Sequence, residues 1–226
     1  MGPVVEVWHW RLIGTPDDHA RAAATLSPDE AARAARFHFV RDRDRFVLAR
    51  AGVRRVLGAL LSTPPASLAF VYGASGKPAL AQETGLHFNL SHTADHAALA
   101  VADGFALGID IEQPRTIDPG VAERFFAPNE NAALRQTPPS AWNAAFFRCW
   151  TRKEAYVKAV GDGLLIPLDS FEVSLAADAP AVFHRVGDDK AEAARWQLAH
   201  LDLAPDCLGA IAARRTGWRV RLRGPA

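Results

Sequence analysis

Cysteine is nearly missing from this chain. Cys149 and Cys207 are the only two in 226 residues, too few for a disulfide framework and at no spacing that resembles a metal knuckle. Two free thiols in a reducing compartment are expected. Long apolar runs are missing as well. No stretch approaches the ~20 apolar residues of a membrane span. The opening residues MGPVVEVWHWRLIG hold no basic segment followed by an apolar one, so no signal peptide is expected. The expected setting is cytoplasmic, with no membrane partner. An excess of one charge is also lacking: 26 basic against 25 acidic residues leave +1, whereas a general nucleic-acid binder is strongly basic. The last scarcity is lysine. Of the 26 basic residues four are lysines, Lys77, Lys153, Lys158 and Lys190. In a chain that uses arginine by default, a lysine is informative, because the guanidinium fork cannot mimic a compact point charge.

What is present is an ordinary globular composition, 49% hydrophobic and 23% charged, in a length that suits one large domain or two small ones. Residues 4–13 alternate apolar and polar positions as a strand does. LSPDEAARAARFHF opens a helix, with Ser27 as N-cap, Pro28 at the first helical position and Asp29 and Glu30 in the first turn. A second helical pattern runs over about 44–60 and ends at STPPAS. LAFVYG reads as a strand and ASGKPAL as a turn. HFNLS, HAALAVADG and FALGIDIEQ then read as three consecutive strands of an antiparallel meander. Residues 119–135 and 140–160 are expected to be helical, the second helix ending at Gly161 and Gly163. FEVSL, AVFHRV, RWQLAHLDL and CLGAIAARR are expected strands. The order helix, helix, strands thus occurs twice, changing over near residue 108. It points to an α+β fold of two similar halves, 1–107 and 108–226, with a cleft between them, against the alternative of one α+β domain without duplication.

GIDIE (108–112) puts two carboxylates, Asp110 and Glu112, on one face of an apolar strand, because side chains at i and i+2 project together. Such a pair needs a cation or a shared proton. Magnesium suits one or two carboxylates with phosphate oxygens; the alternative is a strand end with two solvated acids. In WTRKEAYVK (150–158), Glu154 and Lys158 stand one helical turn apart. They read either as a third metal carboxylate with Lys153 and Lys158 as phosphate clamps, or as a surface ion pair beside a core Trp150. Lys77 sits in a Gly/Pro turn. Ser91 and His92 of NLSHTADH offer a hydroxyl and an imidazole for a phosphate or ribose. They project to opposite faces and so make a poor nucleophile–base pair. Eight arginines between Arg33 and Arg55, Arg45 among them, form either a phosphate-binding patch or a solvated helix face.

GKP at 76–78, NLSH at 89–92, GIDIE at 108–112, RFFAPNE at 124–130 and WTRKEAYVK at 150–158, taken in this order, resemble the 4′-phosphopantetheinyl transferases of the surfactin-synthetase-activating (Sfp) type. The resemblance runs from LSPDEAARAARF to GDGLLIPLDSFEV. It implies two halves related by a pseudo-twofold, each a small antiparallel sheet packed on a long helix. The first half would serve the nucleotide side and the second the metal site and catalytic helix. It implies coenzyme A and magnesium, or manganese, in the cleft. It also implies transfer of the phosphopantetheine arm to a serine of an apo acyl or peptidyl carrier protein, releasing adenosine 3′,5′-bisphosphate. By position, Asp110, Glu112 and Glu154 match the metal carboxylates, and Lys153 and Lys158 the lysines near the diphosphate. Lys77 with Pro78, Ser91 and His92 match the residues that hold the coenzyme, His92 near its 3′-phosphate. Arg45 fits a basic position at the start of the second helix, and Glu130 the acid after the double phenylalanine.

One position departs from the pattern: Glu30 stands where family members often carry a basic residue. The nucleotide end is therefore expected to rely on Arg33, Arg36 or Arg41. In the implied reaction Lys158 stabilises charge on the leaving phosphate, and Glu154, or else Glu130, accepts the serine proton. A monomer suffices if both halves supply the cleft. The rival readings are another magnesium-dependent phosphotransferase or phosphodiesterase acting on a nucleotide diphosphate, and a non-catalytic binding module.

Overall fold

The computed structural model describes residues 2–161, 166–189 and 191–224. Lys190 and Gly163 lie outside the described residues.

The chain opens with strand β1 (Val4–Arg11), helices α1 (Pro16–Ala23) and α2 (Pro28–Ala34), and the long helix α3 (Val40–Leu61). Helix α2 starts as its sequence predicts: Pro28 stands at the first turn, and the Ser27 N–H donates to the Glu30 side chain at 3.1 Å. Strands β2 (Phe70–Tyr72) and β3 (Pro78–Leu80) form a small hairpin. Then come β4 (Leu86–Thr93), β5 (His96–Asp103) and β6 (Gly108–Glu112). Only the first two of these make a hairpin; β6 does not continue a meander. Both edges of β5 are already taken, by β1 and β4, so β6 leaves for another sheet and pairs with β10.

The expected helix 119–135 is two helices, α4 (Pro119–Phe125) and α5 (Pro128–Gln136). Pro128 disfavours helical backbone at Ala127, and Phe126 and Ala127 are extended. Helix α6 (Pro139–Val160) ends at Gly161, whose φ of 89° only glycine adopts without cost. Strands β7 (Phe171–Val173) and β8 (Phe183–Val186) pair, as do β9 (Gln197–Ala204) and β10 (Cys207–Ala213). A last strand, β11 (Arg219–Leu222), runs parallel to β1. Neither α1 nor β11 is legible in the sequence reading.

Two larger sheets result, β11-β1-β5-β4 and β6-β10-β9, beside the two-stranded pairs β2-β3 and β7-β8. Alternation along the strands sorts their faces. Trp10, Leu99 and Val101 pack under α3 with Val53 and Leu57. Val5, Val7, Ala98 and Ala100 face Ile109, Ile111, Leu201 and Ile211 of the second sheet. The other face of that sheet, with Ala210 and Ala212, lies against α6. Gly108 lets β6 press on α6: a Cβ there would stand 2.1 Å from the Ala155 carbonyl oxygen. On the opposite side of α6, fully buried Lys153 donates to the carbonyls of Leu168 (2.6 Å) and Phe171 (2.7 Å) and pairs with Glu130 at 2.8 Å. Glu130 also accepts from the backbone N–H groups of Ala127 and Val173. One carboxylate thus ties α5, α6 and β7 together.

Two stability outcomes follow from this packing. Gly108→Ala is expected to cost several kcal/mol, beyond the ~1–3 kcal/mol of ordinary overpacking, because the obstacle is backbone. Glu130→Gln is expected to cost roughly 3–5 kcal/mol by leaving the Lys153 ammonium buried without its counter-charge. Urea denaturation measures both. A Glu130→Gln protein of wild-type stability would contradict the structural role given to this pair.

Candidate active site

Gly108, Asp110 and Glu112 share the α6 side of β6, while Ile109 and Ile111 fill the core between the sheets. On α6, Glu154 and Lys158 stand one turn apart on the side that meets them. Lys158 Nζ donates to Asp110 Oδ1 at 2.6 Å and to Ser91 Oγ at 3.1 Å. Strand β4 supplies the rest of the frame. Ser91 Oγ accepts the Ile111 N–H (3.2 Å) and donates to Asp110 Oδ1 (3.0 Å). Thr93 Oγ1 accepts the Gln113 N–H (3.4 Å) and donates to Glu112 Oε2 (2.9 Å). Asn89 Oδ1 accepts the Ile109 N–H at 2.8 Å. Glu112 also accepts from Arg115 at 3.0 Å.

Asp110 and Glu154 are short of positive charge. Asp110 Oδ2 is buried and has no hydrogen-bond partner. Burial pushes the Asp110 carboxyl up from its ordinary range; Lys158 opposes this and Glu112 adds to it. The Glu154 carboxyl is also raised, by burial first and then by the charge of Asp110. The donor set is all carboxylate oxygen, the kind magnesium takes. It is wider than a closed cage, however. Among the described residues the only three His, Cys, Asp or Glu whose ligand atoms all fall within 4.8 Å are His9, His96 and Cys207. The Lys158 ammonium holds one oxygen of Asp110.

Glu154 and Lys158 also line a cleft of about 290 Å³ whose other wall is Ser75–Pro78, Asn89 and Leu90. Lys77 ties that wall to α6, donating to the carbonyls of Leu107 (2.9 Å) and Lys158 (2.6 Å). Burial and the neighbouring Lys158 bring its ammonium down to about 8. Pro78 lines the same cleft. His92 lies on the other face of β4 from Ser91 and is exposed; desolvation, Lys158 and Arg45 hold its imidazole below the ordinary value. Arg45 is held by Asp95 at 2.6 Å, and the Arg33 guanidinium lies 5.3 Å from the Phe46 ring centre.

Three expected roles need correction. Lys153 cannot reach a diphosphate in the cleft, because it is fully buried on the far side of α6. Glu130 cannot accept a serine proton, because it is buried and bonded to Lys153 and two backbone N–H groups. The Ser91 hydroxyl is saturated by Ile111, Lys158 and Asp110, so it orients an acid rather than binding a ligand. Glu30 also finds its explanation: it is a buried acceptor for Arg50 and Arg54, pinning α2 to α3. The sequence reading missed Asn89 and Thr93. Their signal is the polar alternation at 89, 91 and 93, with Phe88 and Leu90 on the opposite face.

Comparison with known proteins identifies the family. Residues 106–212 match the model of the 4′-phosphopantetheinyl transferase superfamily, and residues 9–103 that of a 4′-phosphopantetheinyl transferase N-terminal domain. The chain is 40% identical to the 4′-phosphopantetheinyl transferase HetI of Nostoc sp. over 96% of its own length and 91% of that protein. It is 36% identical to psf-1 of Bacillus pumilus, covering 74% and 70% of the two chains. With Sfp of Bacillus subtilis the identity is 31%, covering 72% of each. The alternative of a phosphodiesterase acting on a nucleotide diphosphate finds no support among these relatives. A match at this identity, along nearly the whole of both chains, makes this protein a member of the 4′-phosphopantetheinyl transferase superfamily.

Proposed function

We propose that this transferase moves the phosphopantetheine arm of coenzyme A to a serine of an acyl or peptidyl carrier protein in the cleft between β6 and α6. The observation that carries the reading is the grouping of three carboxylates, two of them under-compensated, around one ammonium: Asp110 and Glu112 from a strand, Glu154 and Lys158 from a helix. Asp110, Glu112 and Glu154 are the residues that would hold magnesium, or manganese, and the unpartnered Asp110 Oδ2 is the ligand atom most in need of it. Bound there, the ion would supply charge neutralisation at the diphosphate.

The side chains of this protein then divide the remaining work. The carrier serine oxygen attacks the β-phosphorus, and the bond from that phosphorus to the bridging oxygen breaks, releasing adenosine 3′,5′-bisphosphate. Lys158 stands where charge develops on that leaving oxygen. Glu154 takes the serine proton. In the cation-free protein, burial and the Asp110 charge raise its affinity for protons. His92 and Arg45, close enough to feel each other's charge, suit the 3′-phosphate, with Arg33 of α2 as a further candidate. Lys77 and Pro78 shape the opposite wall.

The supporting frame reads as two halves, 1–107 and 108–226, related by a pseudo-twofold, with β11 returning to the first sheet. A monomer is then sufficient. Among the described residues no helix is long and apolar enough to cross a membrane, and both cysteines are free and buried, in keeping with a cytoplasmic setting.

Incubating the protein with coenzyme A, magnesium and an apo carrier, then weighing the carrier, tests the reading; no added arm on any carrier would defeat it. Asp110→Asn and Glu154→Gln are each expected to lower the rate by at least about a hundredfold, and Lys158→Arg to be harmful because a fork replaces a point charge.

A second prediction concerns pH. Asp110 and Glu154 hold protons more tightly in the fold than in the unfolded chain. Their contribution therefore favours folding below the ordinary carboxylate range and is lost as pH rises through their raised values. Without added cation, Glu154→Gln should raise Tm at pH 8 by roughly 2–4 °C, about 1 kcal/mol. The gain should shrink as pH falls towards ~4. A variant no more stable than wild type at pH 8 would show that Glu154 meets no uncompensated charge.

A further inference from the structure

A second group of metal-ligand chemistry lies outside the acid cleft. His9 on β1 and His96 on β5 follow the inward-facing residues Val5, Val7, Ala98 and Ala100 on the inter-sheet face of the first sheet. Cys207 begins β10 on the facing sheet and belongs to the same buried layer. At this end of the layer, apolar packing gives way to two imidazoles and a thiol, each with a ligand atom within 4.8 Å of the others. His9 Nε2 is 2.9 Å from His96 Nδ1, and the rings lie 8° from parallel. His96 and Cys207 are almost wholly buried. The other ring nitrogen of His96 has the Asp206 carboxylate 3.4 Å away. Asp206 is half exposed and is anchored by Gln113 at 2.8 Å.

We propose that His9, His96 and Cys207 bind a thiophilic divalent cation of the zinc class, with Asp206 bracing the His96 ring from outside. Two imidazoles and a thiolate select such an ion over magnesium or calcium, which want oxygen. Metal-bound histidines characteristically pass their second N–H to a carboxylate, which is the position Asp206 holds. The distance needed is modest. Zn–N bonds of about 2.0 Å at a tetrahedral angle put two nitrogens roughly 3.3 Å apart, so the His9–His96 contact must open by a few tenths of an ångström.

The charges nearby are accounted for. Arg11 Nη1 donates to His96 Nε2 at 2.8 Å and must turn away when that nitrogen carries its proton towards Asp206. Arg11 is half exposed, and Asp95 is already 3.9 Å from its other nitrogen. Burial, His96 and Arg11 hold the His9 imidazole below its ordinary value, so it is neutral and ready to ligate. The Cys207 thiol, pushed up to about 12 by burial and the charge of Asp206, is protonated in the free protein. Binding therefore transfers its proton to solvent. Asp206 and Arg11 mark the wet side from which the ion enters. Because the ligands come from both sheets, the ion would staple them together.

The test uses the whole protein, freed of metal with a chelator and titrated with zinc in excess magnesium. One equivalent should bind with release of protons. With free zinc about a hundredfold above Kd, Tm should rise by roughly 5–10 °C. Cobalt in place of zinc should show a thiolate-to-metal absorption band. His9→Gln and Cys207→Ser should each weaken binding at least about tenfold, while Glu154→Gln leaves it unchanged. His9 is only partly buried, so its variant keeps the test valid if Cys207→Ser does not fold. Zinc uptake that survives both substitutions, or no uptake with no thiolate band, would overturn the site.

Discussion

The seam between strands β4 and β6 is the constraint on which the rest depends. These strands belong to different sheets and share no backbone ladder. Instead Asn89, Ser91 and Thr93 each accept a backbone N–H, from Ile109 and Ile111 of β6 and from Gln113 just after it. The spacing is two on both strands, so one face of β4 caps one edge of β6. A hydroxyl that accepts in this way still has a proton to give. Ser91 gives it to Asp110 and Thr93 to Glu112. The bonds that join the sheets therefore also aim the two acids. Gly108 completes the register on the other side by letting β6 sit against the backbone of α6. Fold and site cannot be altered independently here, since a slip of one residue would turn both acids into the core.

The described lysines follow one physical rule, which differs from the one their scarcity suggests. Each is a compact ammonium where carbonyl or carboxylate oxygens converge in a confined space. Lys77 binds two carbonyls across the β5–β6 connection and α6. Lys153 binds two carbonyls and Glu130 behind α6. Lys158 binds Asp110 and Ser91. A planar fork would not fit these points. Among the described lysines Lys153 is fully buried, Lys77 is partly buried at the cleft wall, and Lys158 is 30% exposed beside the acids. Arginine takes most of the exposed positions, but Arg50 and Arg54 hold the buried acid Glu30 beside the Phe70 ring, and fully buried Arg152 donates to the Ser174 carbonyl.

Periodicity made β1, α2, α3, β4, β5 and α6 legible, because each has a long pattern with a clear start or stop. The i, i+2 pair in GIDIE and the i, i+4 pair in WTRKEAYVK placed the acids and Lys158 on two faces, and those faces meet. What local pattern cannot carry is the partner of a strand or the depth of a charged group. β6 looks like the third strand of a meander until the edges of β5 are seen to be full. Lys153 and Lys158 look alike in sequence, yet five residues on a helix turn a side chain by about 140°. That rotation sends Lys153 into the core and leaves Lys158 at the cleft. Glu130 reads as a catalytic acid until Val173, far along the chain, is found donating to it.

Gln113 connects the two polar regions. Its backbone N–H closes the β4–β6 seam at Thr93, one residue beyond Glu112. Its side-chain amide donates to Asp206, the carboxylate beside His96. The last turn of hydrogen bonds around the acid cleft is thus also the outer support of the imidazole–thiol cluster. A charge change at either end acts on the same short segment of β6. A cation that drew Asp206 towards His96 would pull on Gln113 and, through Thr93, on the orientation of Glu112. The two regions differ in donor chemistry, oxygen in one and nitrogen with sulfur in the other, so the ions proposed for them would not compete.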